Sequence, residues 1–100
     1  MTEVALSSAM LVRLLNNPET ARAIPVLAPT IELMHGAAVG RCSACARRRK
    51  QVIATSQAKA ALLQVPPEQR SALKRLMGIP QDAHLRVVAA VQGRLTQAVL

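Results

Sequence analysis

The chain contains no phenylalanine, tryptophan or tyrosine. Its core must be built from Ala, Leu, Val, Ile and Met, which with two cysteines make up the 51% of residues that are hydrophobic. Aromatic side chains supply much of the buried area of small domains, and a chain of 100 residues has little surface to bury in any case. A free-standing monomer is therefore expected to be marginally stable, with a neighbouring subunit, a metal or self-association as the remedy. The same absence removes the stacking platforms on which RNA-recognition, OB-type and cold-shock modules hold bases. Phosphate contact through Arg and Lys stays open.

Acidic residues are scarce as well: five Asp+Glu stand against thirteen Lys+Arg, a formal net charge of +8. None lies between Leu33 and Pro67, where Arg41, Arg47, Arg48, Arg49, Lys50 and Lys59 all fall. Such an excess favours nucleic acid, anionic lipid or an acidic protein surface as a neighbour. Five scattered acids assemble no paired carboxylates, and neither a Ser-His-Asp set nor a Gly-rich phosphate loop is present, so the chain is not expected to be an enzyme. No apolar run reaches the roughly 18 residues of a membrane span, and no membrane partner is expected. Met1-Thr2-Glu3 opens with an acid and no base precedes Arg13, a poor match to a signal peptide. A cytoplasmic origin is expected.

The two cysteines are spaced as Cys42-Ser43-Ala44-Cys45 and run into Arg47-Arg48-Arg49-Lys50. A Cys-x-x-Cys knuckle at a helix start supplies two thiolates of a tetrahedral zinc site. His35 and His84 complete one intrachain set; two chains sharing Cys42 and Cys45 complete another. Thiols beside cations at a helix start also have a lowered pKa and a redox use, although no strand precedes Cys42 as a thioredoxin-like motif requires. Two ordinary reduced cysteines packing a helix start are the plain alternative, just as His35 beside Gly36 has a plain use as a helix C-cap. Arg47 to Lys50 fan around a helix at about 100° per residue. They cannot all enter one groove, but two of them with Arg41 can hold phosphates or an acidic surface. No zipper or helix-turn-helix accompanies them, which argues against sequence-specific DNA reading.

Periodicity predicts a mostly α single domain over residues 1–100: a small helical domain with a long basic central helix and a C-terminal β-hairpin. A first helix is expected over Val4–Leu15, capped by Thr2 and stopped at Asn16-Asn17-Pro18. Its apolar arc is broader than a surface helix needs, so it is either a buried central helix or a docking helix. Pro25 to Pro29 is expected to be extended, with Thr30 capping a short helix through Met34 that Gly36 closes. Ser43 caps the long helix, Ala44 to about Gln64, with Val52, Ile53, Ala60 and Leu63 inward. Val65-Pro66-Pro67 breaks it. A further helix runs from Glu68 to Met77, with Leu73, Leu76 and Met77 inward and Gly78 as the stop. Leu85, Val87, Ala89 and Val91 alternate with other residues up to Gln92-Gly93, and Leu95, Gln97 and Val99 alternate after it. That pattern is a two-residue hairpin, which must pack on the helices or extend a neighbour's sheet.

The order of these parts is a Cys42-x-x-Cys45 loop, an Arg-rich helix, Pro66-Pro-Glu-Gln-Arg-Ser-Ala-Leu-Lys-Arg-Leu-Met-Gly78 and a Leu-Arg-Val-Val hairpin. From about residue 40 to 95 this layout resembles small proteins encoded among the head and neck genes of tailed bacteriophages. The resemblance implies a non-enzymatic particle component, oligomeric, stabilised by protein neighbours and located in the virion. No functional residue is carried over from it. The expected docking residues are Leu6, Met10 and Leu14 on the first helix with Leu85, Val87, Leu95 and Val99 on the hairpin. Arg41 and Arg47 to Lys50 provide electrostatic attachment. The competing expectation is a zinc-knuckle protein accessory to nucleic acid.

Overall fold

The computed structural model describes residues 2–37 and 44–100, with side chains except at 37, 44–47, 49–51 and 53. Mostly helical, it sets its helices against one face of a small sheet. Strand β1 (Glu3–Ala5) leads into helix α1 (Ser8–Asn16), followed by α2 (Thr20–Ala23), a 3-10 turn at Pro25–Leu27, α3 (Ala28–Ala37) and α4 (Ala44–Leu62). A second 3-10 turn at Pro67–Gln69 opens α5 (Arg70–Met77), and the hairpin β2 (His84–Val91) and β3 (Arg94–Val99) follows. The strand order is β1-β2-β3, with β1 parallel to β2 and β3 antiparallel to it.

The first expected helix is divided. Ser7 is its true cap: the Ser7 hydroxyl accepts from the Met10 N–H at 3.2 Å, which satisfies one of the orphan donors of a helix start. Residues before it are free to extend, and β2 offers them a strand to pair with. Thr2, expected as the cap, instead gives its carbonyl to the His84 N–H at 2.8 Å. Tertiary pairing has overridden a helical pattern, the usual way local propensity loses.

After α1, Asn17-Pro18-Glu19 opens the short helix α2 in the manner of a cap followed by a proline, and the difference from expectation comes at Pro25 and Pro29. Asn17 Oδ1 accepts from the Glu19 N–H at 2.9 Å, and the buried Thr20 hydroxyl donates to the Leu14 carbonyl at 2.6 Å, turning the chain back over α1. Pro25 and Pro29 do not hold an extended strand. Each sits in the first turn of a helical segment, where the missing N–H has no helical partner to lose. Helix α3 therefore begins before Thr30, which is buried, and continues past Gly36.

Helix α4 matches its expected span, but the inward stripe is different. Ala54, Ala58 and Leu62, spaced i, i+4, i+8, are fully buried, whereas Val52 is 63% exposed and Ala60 and Leu63 are half-buried. The Ile53 side chain lies outside the described residues. Two alanines let the helix lie close to both α3 and β2, which it contacts, so small size rather than hydrophobicity selects the buried positions. The Ser43 cap lies outside the described residues.

Helix α5 buries Leu73, Leu76 and Met77 as expected. It ends in a Schellman arrangement: the Gly78 N–H reaches the Arg75 carbonyl at 3.2 Å and the Ile79 N–H the Lys74 carbonyl at 3.0 Å. Gly78 has φ 74°, the left-handed conformation this motif needs. Arg13 on α1 donates from Nη1 to the Met77 carbonyl at 3.4 Å, closing the helix end from outside.

The hairpin forms as the alternation predicts. Gln92 (φ 51°) and Gly93 (φ 78°) are both left-handed, as a type I′ turn requires. The core of aliphatic side chains lies between the helices and the inner face of β2, with Leu11, Leu14, Leu15, Ile24, Leu27 and Leu62 among its fully buried members. Leu14, Leu85 and Val87 were expected to dock on a neighbour. They are completely buried in the chain's own core, Leu85 and Val87 because the hairpin packs its Leu85–Val87–Ala89 face on α4, and Leu14 because α1 packs against α3, α4 and α5. Leu6 and Met10 are half-buried at the margin of the same core.

Candidate functional site

Strand β2 alternates buried and exposed residues, so Arg86, Val88 and Ala90 form an outer face turned away from the helices. The register places Val99 beside Arg86, Gln97 beside Val88 and Leu95 beside Ala90 on that face, with Ala5 of β1 on the other side of Arg86. Leu95 is 82% exposed, Val88 46% and Val99 44%. One polar group interrupts this apolar surface. Arg86 binds Glu3 through Nε at 2.6 Å and Nη2 at 3.3 Å, and donates from Nη1 to Gln97 Oε1 at 3.1 Å, linking all three strands. The hydrogen bond from Arg86 holds the Glu3 carboxyl below the usual carboxylate range.

Backbone geometry adds a second property. Leu85 and Leu100 exchange both hydrogen bonds, at 2.8 and 2.7 Å. In an antiparallel ladder the paired residues alternate, so Thr96 and Ala98 also face β2, and Leu95, Gln97 and Val99 point their N–H and C=O groups outward. Among the described residues β3 has no strand on that side. From Arg94 to Gln97 it is also exposed on both faces. Exposed edges are ordinarily blunted by charge, proline or a bulge. Leu95-Thr96-Gln97-Ala98-Val99 has no charged residue and no proline.

The basic segment lies elsewhere. Arg41 and Cys42 lie outside the described residues, as do the side chains of Cys45, Arg47, Arg49 and Lys50 on α4. Arg48 is exposed and, with His35, Met34, Val12, Leu15 and Val52, lines a groove of about 410 Å³ between α1, α3 and α4. His84 instead lines a pocket on the sheet with Thr2, Glu3, Arg86 and Val99. The two histidines thus occupy separate pockets, and no cluster of three or more His, Cys, Asp or Glu occurs among the described residues. No helix among them is long and apolar enough to cross a membrane.

Of the expected docking residues, Leu95 and Val99 stand in the open. Val88, Arg86 and Gln97 were not anticipated; the signal that would have found them is the exposed half of the same alternation that identified Leu85 and Val87. No protein-family model, curated protein or solved structure matches this chain.

Proposed function

We propose that this protein is a non-enzymatic structural component of a multi-subunit assembly, of the kind found in the head or neck of a phage-like particle. It docks on neighbouring subunits through the open side of its sheet. One observation carries this reading: among the described residues β3 combines an unpaired backbone edge with an apolar, exposed outer face, and from Leu95 to Val99 it has neither the charge nor the proline that ordinarily keeps an edge from pairing. An aliphatic core of this size also gains from a neighbour. The basic α4 segment serves as an electrostatic attachment to nucleic acid or to an acidic subunit surface.

The test is the native mass distribution of the purified protein. Val88→Lys and Ala90→Lys each place a charge on the outer face of β2 without touching the core, and each is expected to dissolve assemblies larger than a dimer while far-ultraviolet circular dichroism stays unchanged. An unaltered mass distribution in both variants overturns the reading. Truncation at Leu95 is a poorer test, because Leu100 is itself buried and bonded to Leu85.

Arg48→Ala tests the attachment separately. Binding to a heparin or duplex-DNA probe is expected to weaken, and the slope of log K against log salt to fall by about 1. A slope unchanged by the substitution removes Arg48 from the contact.

A further inference from the structure

Resting on the docking role proposed above, we infer that the occupant of the β3 edge is a second copy of this chain, paired antiparallel about a two-fold axis at Gln97. The outward groups belong to Leu95, Gln97 and Val99, an apolar-polar-apolar series that reads the same in both directions. A two-fold pair sets position i against j and j against i, so a series of this kind brings apolar against apolar and polar against polar. Centring the axis on Gln97 sets Leu95 against Val99 of the second copy, Gln97 against Gln97, and Thr96 against Ala98. Each outward N–H and C=O then finds a partner, six hydrogen bonds in a continuous sheet, by the antiparallel alternation described above.

Charge also favours this register over an in-line one. Two chains of +8 repel one another, so contact must fall where like charges do not meet. Strand β3 carries one cation, Arg94, whose mate here is Leu100 rather than the other Arg94. Arg86 on the adjoining strand is paired with Glu3 at 2.6 Å, and the Arg48 groove lies on the helical layer. Among the described residues no helix covers β3 from Arg94 to Gln97, which leaves space for the helical layer of the second copy. The joined sheet doubles the apolar outer face, where the two Gln97 side chains, each held by its own Arg86, stand at the centre.

The test is disulfide trapping in the full chain, with sites assigned by peptide mapping so that Cys42 and Cys45 are accounted for. Opposed residues in a hydrogen-bonded antiparallel pair have Cα atoms about 5.5 Å apart, within the roughly 4.4–6.8 Å that a disulfide spans. Gln97→Cys chains are therefore expected to cross-link to one another at position 97. Leu95→Cys chains, whose equivalent positions lie roughly 14 Å apart along the strand, are not, whereas a mixture of Leu95→Cys and Val99→Cys chains joins 95 to 99. Val99→Lys is expected to convert a two-chain native mass to a one-chain mass with the circular dichroism retained.

Self-linking at 95 as readily as at 97, or a one-chain mass for the unaltered protein at every concentration, overturns the two-fold pair. A cross-link at 97 in a protein whose larger assemblies ignore Val88→Lys keeps the pair and removes the assembly role. Loss of larger assemblies in Val88→Lys without a cross-link at 97 does the reverse.

Discussion

Leu85→Ala is expected to lower the unfolding free energy by about 2–5 kcal/mol, the cost of emptying a buried leucine site. Leu85 is 0% exposed and lies on the inner face of β2, the strand that carries β1 on one side and β3 on the other. Its main chain holds Leu100 in place through two hydrogen bonds, so no nearby backbone is free to close the cavity. A domain of this length commonly has about 5–15 kcal/mol in total, and one without aromatic side chains sits low in that range. The substitution should therefore populate the unfolded state visibly at room temperature. Urea unfolding measures it as a shift in midpoint at constant slope. Leu95→Ala is the control, expected to change stability by less than about 0.5 kcal/mol. Equal effects at the two positions would mean that the inner and outer faces of the hairpin are not distinguished as described.

Gly78→Ala is expected to cost about 1–2 kcal/mol from backbone conformation alone, because a Cβ is disfavoured at positive φ. A second penalty arises from outside α5. A Cβ at Gly78 would stand 2.6 Å from Arg13 Nη1, so the guanidinium must leave the Met77 carbonyl it closes. The two contributions separate in a double-mutant cycle. In an Arg13→Ala background the cost of Gly78→Ala should fall to the conformational part. If it stays the same in both backgrounds, Arg13 moves aside freely and the contact between α1 and the end of α5 contributes nothing.

The helix-stop and turn signals were legible because they are local. Gly78, the prolines at 66 and 67, and Gln92-Gly93 each act through backbone torsion, and each lies where the chain was expected to change direction. What escaped the sequence depended on distant partners. Val4 reads as helical until β2 is present to pair with it. Ala54 and Ala58 read as filler until the proximity of α3 and β2 makes small size the requirement. The docking residues divided for the same reason: Leu85 and Leu95 are chemically identical, and only the packing of one hairpin face on α4 makes one of them core and the other surface. The Cys42–Lys50 segment drew attention by charge and thiol chemistry, which composition displays openly. An unpaired sheet edge has no composition of its own and emerges once the strand order is known.

The pairing of β1 with β2 has a consequence for how the protein comes into being. Residues 3–5 leave the ribosome about eighty residues before their parallel partners, residues 84–86. Ribosomal synthesis adds about 5–20 residues per second, so the first strand waits several seconds for its place in the sheet. Closing that long loop comes late, since contacts distant in sequence are slow to form. During the wait α1 to α4 can collapse on their shared leucines while the sheet does not yet exist. The surface proposed for docking is thus built after α1 to α5, so a nascent chain cannot use it before these helices are made.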